Sequence, residues 1–353
     1  MTLRTALILG TIALLASPSL AQVPVPSGAA REHDIRPGPG VTATKMLSDW
    51  APSLKNTPGD TPVYLVEGKE PGATVFVAGG THGNEIAGIM AAISLVERAT
   101  VQTGRLIVIP HANNSAITDT DPERPGPAFI TVTTPSGERR FLYGSRRTKA
   151  ADQGAPDPPK YRHPHPKATE DLEGAETRNL NRAYPGAAHG TLTERMAFGI
   201  MQVLRDERVT IAFDFHEAGP DSRLAWMVVA NPKNMETAAA AVLDLEAQGL
   251  AMKLEPSSET FRGLSHREWG DQTAAQAYLF ETPSPSMVSD TKGVDFVHDE
   301  KLPLSRRVGG QLASFTAVIA AYNADAPADR SVALGGIPAM ADVIASGVGA
   351  FLR

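Results

Sequence analysis

The chain has 353 residues, 42% of them hydrophobic, which is enough to bury a substantial core. Its formal charge of −6 and the absence of any Lys/Arg block exclude an electrostatic face for nucleic acid. It contains no cysteine, so disulfides and thiolate metal sites are excluded, and any metal must be held by His and carboxylates.

The first residues read as a secretory signal. Arg4 supplies a positive start, residues 6–15 a short apolar run, and Ser19-Leu20-Ala21 a small-x-small cleavage site with Gln22 behind it. The run falls short of the roughly 20 apolar residues that span a bilayer. The expected location is therefore periplasmic or secreted, without stable membrane insertion. Residues 22–45 form a leader, rich in Pro, Gly and Ala as far as 40.

From there apolar runs alternate with amphipathic stretches. Thr74-Val-Phe-Val-Ala78 is a β-rich run that ends in Gly79-Gly80, and residues 87–99 have helical spacing. Arg105-Leu-Ile-Val-Ile109 is a second strand of buried type. A segment at 119–177 breaks the rhythm: it holds nine of the 28 prolines and shows no clear period. Such a stretch is a lid, a binding loop or disorder. Residues 192–204 and 235–250 read as helices. Thr210-Ile-Ala-Phe-Asp-Phe215, Trp226-Met-Val-Val-Ala230 and Ala277-Tyr-Leu-Phe280 read as strands. A helix at 305–322 precedes a polar break and an apolar tail of small residues, 324–353. Strand–helix alternation of this kind predicts an α/β fold, a mixed, mostly parallel twisted sheet flanked by helices. The main domain is expected at 46–323, with 119–177 inserted in it.

Four places carry chemistry. Gly79-Gly80-Thr81-His82-Gly83-Asn84-Glu85 follows a strand and opens a helix. His82 and Glu85 are three apart, so on a first helical turn they share one face. An imidazole and a carboxylate converging there suit Zn²⁺. The same spacing also describes a surface His beside a Glu that favours a helix dipole. Asp214-Phe215-His216-Glu217 ends another strand, and His216 can be a third ligand, leaving an open position. Arg182, in Asn179-Leu180-Asn181-Arg182, has the fork that grips a carboxylate, or is simply a surface Arg of a turn. Glu281 closes an apolar strand just before Thr282-Pro283; half-buried, its pKa would rise toward that of a useful base.

As an ordered set, Gly-Gly-Thr-His-Gly-Asn-Glu, Asn-Leu-Asn-Arg-Ala-Tyr-Pro-Gly, Asp-Phe-His-Glu and Phe-Glu-Thr-Pro resemble the succinylglutamate desuccinylase/aspartoacylase family, whose fold is that of the zinc carboxypeptidases. The resemblance implies one zinc per chain on His82, Glu85 and His216, with Glu281 as general base. It implies that Asn181 and Arg182 bind a substrate carboxylate. The family also polarises the scissile carbonyl with an arginine, for which Arg146 or Arg147 come first and Arg178 after them. One departure matters. Carboxypeptidase-like proteins often carry Asp two residues before this Asn; here Asn179 stands there, able to accept a hydrogen bond but without charge.

The expected activity is hydrolysis of an amide bond next to a carboxylate-bearing residue. The substrate would be an N-acyl amino acid or a peptide losing its C-terminal residue. The competing reading is a non-catalytic binding protein for peptides or acyl amino acids on the same fold, which would have no need of Glu281.

Overall fold

The computed structural model describes residues 34–119, 126–288, 291 and 293–353. The expected signal peptide and the first half of the leader lie outside the described residues. In chain order the first elements are β1 (Ala43–Met46), β2 (Pro62–Glu67), β3 (Glu70–Ala78), α1 (Ile86–Arg98), β4 (Thr100–Ile109) and the single turn α2 (Asn114–Ile117). The inserted segment supplies β5 (Phe129–Thr134), β6 (Gly137–Leu142), β7 (Lys160–Tyr161) and β8 (Leu172–Glu173). There follow α3 (Leu192–Asp206), β9 (Ile211–Ala218), β10 (Met227–Ala230), α4 (Met235–Ala247), β11 (Lys253–Pro256), α5 (Ser265–Gln272) and β12 (Gln276–Pro283). The chain ends with α6 (Leu304–Asp325), β13 (Ala333–Gly335) and α7 (Met340–Ser346).

Nine strands form one mixed sheet in the order β1-β2-β4-β3-β9-β12-β10-β11, with β13 added on β4. Its centre, β4-β3-β9-β12, is parallel. These strands are apolar runs because helices cover both faces. Val75 and Val77 join the core under α1, α4 and α6, while Phe76 and Ala78 join the core under α3 and α5. Alternation at period two thus divides one run between two cores. Among the described residues, no helix is long and apolar enough to cross a membrane.

On the α3/α5 face the strands change character towards their C-terminal ends. Ala212 and Ala277 are packed in that core. The next residues on the same face are Asp214 and His216 of β9, and Leu279 and Glu281 of β12. The sheet therefore carries its polar residues to one end, where ligands of open α/β sheets bind.

The 119–177 segment is more regular than its composition suggests. β5 and β6 form a hairpin whose side chains alternate between buried and exposed, and Ile130, Val132, Phe141 and Leu142 enter the main core. The signal was the period-two pattern of Phe-Ile-Thr-Val-Thr-Thr, hidden between prolines. Arg139 of β6 pins the hairpin to α1 through a forked pair with Glu97, at 2.7 and 2.9 Å, and both side chains are 1% exposed or less. Arg139→Leu would leave a buried carboxylate without its cation. The expected cost is about 3–5 kcal/mol in urea unfolding. A loss no larger than the roughly 1 kcal/mol of an exposed pair would mean that the backbone donors of Arg36 and Arg353 to Glu97 suffice.

Candidate metal centre

The glycines after β3 shape the centre. Gly80 takes φ +67°, which glycine adopts without strain. Gly83 packs where a Cβ would stand 2.8 Å from the Ala116 carbonyl oxygen, and its backbone bonds both ways to the 144–145 loop. Those bonds hold 81–85 in a turn, so α1 starts only at Ile86, with Glu85 just before it at φ −101°, ψ 73°. This corrects the expectation that His82 and Glu85 lie on a first helical turn. Their side chains still meet, because the turn folds one over the other.

His82 Nδ1 lies 2.5 Å from Glu85 Oε1, and His216 Nδ1 lies 2.7 Å from Glu85 Oε2. All three residues are buried, and one ligand atom from each falls within 4.8 Å of the others. Behind the rings, His82 Nε2 is 2.9 Å from Asn179 Oδ1 and His216 Nε2 is 2.9 Å from Asp214 Oδ2. Thr81 donates to the other Asp214 oxygen at 2.8 Å. Each imidazole thus turns Nδ1 to the shared carboxylate and Nε2 to an outer oxygen. Two imidazoles and a carboxylate, with an acceptor behind each ring, form the donor set of a divalent metal of the zinc type. The residues present fit such an ion.

The electrostatics agree. Burial pulls the His216 pKa down, but Asp214 and Glu85 on either side outweigh it and hold it well above the usual value. Burial would raise Glu85, yet His82 and His216 hold its carboxyl well below the ordinary range. Burial lowers His82. A buried cluster with two carboxylates facing one imidazole is a place that attracts positive charge.

Glu281 stands beside the centre, paired in register with His216 on the neighbouring strand. It is buried, and its Oε2 makes no hydrogen bond to any described residue. Burial first, then Glu85 and Asp214, push its pKa up to about 8, against His216 and Arg146.

The arginines separate. Arg146 lines the cavity with Nη1 3.4 Å from His82 Nδ1. Arg147, next along the chain, bonds Glu176 Oε1 through Nε at 3.0 Å, and the Arg146 Nε stands 3.7 Å from the same oxygen. Arg178 clamps Asp157 through Nε and Nη2, at 2.8 and 3.0 Å, and donates to the Thr148 carbonyl. Neither Arg147 nor Arg178 is among the residues that line the cavity. Each is held by a carboxylate distant in sequence, Glu176 for Arg147 and Asp157 for Arg178.

Arg182 lies in the cavity wall, its guanidinium 4.5 Å above the Phe261 ring. Its Nε is buried without a hydrogen-bond partner among the described residues, 3.6 Å from Glu176. Burial and the neighbouring Arg146 push its pKa down to about 10. Asn181 also faces the cavity, but its Oδ1 already accepts from the Ser265 backbone at 2.7 Å, so only its NH₂ remains to offer.

The cavity in front of the centre measures about 370 Å³. Its far wall is apolar, made by Leu224, Val229 and Leu279, a small cluster separate from both cores. His266 completes the floor: it is buried, and its Nδ1 has no partner among the described residues. Burial pushes its pKa down to about 3, so the ring is neutral. Sequence reasoning passed over His266, since Ser-His-Arg-Glu-Trp reads as the polar start of an ordinary helix. It also passed over Glu176, whose importance lies only in what it touches.

No family model matches the chain, and no curated protein matches its sequence. Among solved structures the chain is similar to a succinylglutamate desuccinylase from a Silicibacter species, with 17% identity over 73% of this chain and 60% of that one, at a TM-score of 0.45. A succinylglutamate desuccinylase/aspartoacylase from Rhodobacter sphaeroides is 18% identical over 73% of this chain and 58% of that one, at 0.42. A metallo-carboxypeptidase from Burkholderia cenocepacia is 13% identical over 79% of this chain and 69% of that one, at 0.46. The chain thus spans about three fifths of the length of the first two. Its structural neighbours are succinylglutamate desuccinylase/aspartoacylase-family proteins and metallocarboxypeptidases.

Proposed function

We propose that this chain is an exported, zinc-dependent amidohydrolase that cuts an amide bond next to a carboxylate-bearing residue. The observation that carries the reading is Glu281: a buried carboxylate with an unpartnered oxygen, in the same cavity as His82 and Glu85 and in register with His216. A protein that only bound its ligand would gain nothing from keeping that group unsatisfied.

His82, Glu85 and His216 would hold the ion. Bound there, zinc supplies a Lewis acid for the scissile carbonyl and for water. Glu281 takes a proton from the attacking water at its carboxylate and later delivers it to the leaving amine, so that the carbonyl carbon gains a C–O bond and loses its C–N bond. Arg146, at the cavity wall, supplies positive charge for the oxygen that becomes negative. Arg182 takes the substrate carboxylate, with the Asn181 NH₂ beside it.

The test is a double cycle: free-acid and C-terminally amidated versions of N-acyl amino acids and short peptides, on wild type and Arg182→Ala, with zinc loaded or chelated. A charge-assisted hydrogen bond contributes about 1.5–3 kcal/mol, so amidation should cost the wild type roughly 10- to 150-fold in kcat/KM. Arg182→Ala should lose most of that discrimination. A merely structural Arg182 would slow both substrates alike. Equal activity of the wild type on both substrates would sink the carboxylate anchor. The protein assayed should be recovered after export and begin at or near Gln22; an intact Met1 on that protein would rule out the cleavage.

A further inference from the structure

The two histidines of the centre are backed by different chemistry. His216 meets a carboxylate directly, Asp214 at 2.9 Å, whereas His82 meets the amide oxygen of Asn179 at the same distance. Asn179 is fully buried, and both ends of its amide are hydrogen-bonded. Its Oδ1 also accepts from the Asn181 backbone N–H at 2.9 Å, and its Nδ2 donates to Glu176 Oε2 at 2.7 Å. A backbone N–H can only donate and a carboxylate can only accept, so the amide has one possible orientation. His82 Nε2 then faces an acceptor and must carry the hydrogen. Its Nδ1, turned towards Glu85 Oε1 at 2.5 Å, is the nitrogen that would meet a metal.

A negative charge stands one residue behind this amide. Burial raises the pKa of Glu176, but Arg146 and Arg182, with the Asn179 NH₂, outweigh it and hold it at about 2. Glu176 also accepts from Arg147 at 3.0 Å. A carboxylate at 179 would stand against Glu176 at hydrogen-bond distance, and two like charges there are unfavourable. With Glu176 in place, the amide is the group that joins it to His82.

We propose that Glu176 is the outer carboxylate of the His82 ligand, acting through the Asn179 amide, and that this relay sets how tightly the centre holds its metal. The proposal rests on the reading that the centre takes zinc. Glu176 is a positioning residue: it reaches neither the metal nor the cavity wall. The charge behind His82 is thus one group farther out than the one behind His216, and it is shared with arginines.

The experiment measures zinc affinity of the full chain by competition with a chromogenic chelator. Partners of this kind are worth about 10- to 100-fold in metal affinity, so Glu176→Gln should weaken zinc binding by that factor. Asn179→Asp combined with Glu176→Gln returns the charge to His82 and should restore most of the affinity. That rescue is the decisive readout, because a carboxylate at 179 does not rebuild the contacts of Glu176 with Arg147. A Glu176 that only held arginines would stay unrescued. Wild-type affinity in Glu176→Gln, or a double variant as weak as the single one, would overturn the relay. If Glu176→Gln does not fold, Asn179→Ala decides alone: it should lose a similar factor, and unchanged affinity overturns the proposal. A wild type that takes up no zinc overturns the metal reading, and the relay with it.

Discussion

Glu281→Gln should keep its zinc and lose at least about 100-fold in kcat, within the 10²–10⁴ range that a positioned general base contributes. The substitution preserves size and hydrogen-bonding shape while removing basicity. Glu281 is not among the three residues whose ligand atoms converge, so the metal should stay. Zinc by elemental analysis and steady-state turnover on the same sample check the two halves separately. A zinc-loaded Glu281→Gln protein with undiminished turnover would end the assignment of Glu281 as base. The fold gives no reason for a large structural effect, because Oε2 makes no hydrogen bond that the amide would break.

His216→Ala should lose most of the zinc and, with it, hydrolysis altogether. In the proposed site His216 would be the ligand from β9, 131 residues beyond Glu85, so nothing nearby in sequence would replace it. Removing the ring also leaves Asp214 and Glu85 facing each other across the vacated space without the imidazole between them. Metal content by mass spectrometry and turnover with added zinc provide the check. Full zinc occupancy in the variant would take His216 out of the site. A variant that regains activity at high zinc would instead keep His216 as a ligand, weakened by its loss and overcome by mass action.

The central strands were readable in the amino-acid sequence because burial on both faces leaves no polar residue to break the run; Val75-Phe76-Val77-Ala78 is the clearest case. The edge strands were not. β1 is exposed along its whole length and β11 is half-buried only at its two middle residues, and neither shows an apolar pattern. β2 carries a legible Val-Tyr-Leu-Val run and is a strand beyond those expected. His82, Glu85, His216 and Glu281 stood out because they follow or close apolar runs at strand ends. The arginines did not sort themselves. Arg146 and Arg147 are adjacent, chemically identical and both close to Glu176, yet only Arg146 lines the cavity, a difference that spacing alone does not give. The tail was legible only as apolar; it becomes β13, paired with β4, and α7, because the exposed sides of β4 and α6 offer it partners.

One carboxylate, that of Glu97, accepts from the backbone N–H of Arg36 at 3.0 Å and from that of Arg353 at 2.7 Å. Residues 36 and 353 are therefore neighbours in space although almost the whole length of the chain separates them. Closing so long a loop costs little more entropy than closing one half as long, since the penalty grows only logarithmically. Glu97 thus closes the chain between residues 36 and 353 into a ring. A circular permutant that links 353 to 36 and opens the chain at an exposed turn such as Ser136-Gly137 would keep every strand of the main sheet with its neighbours.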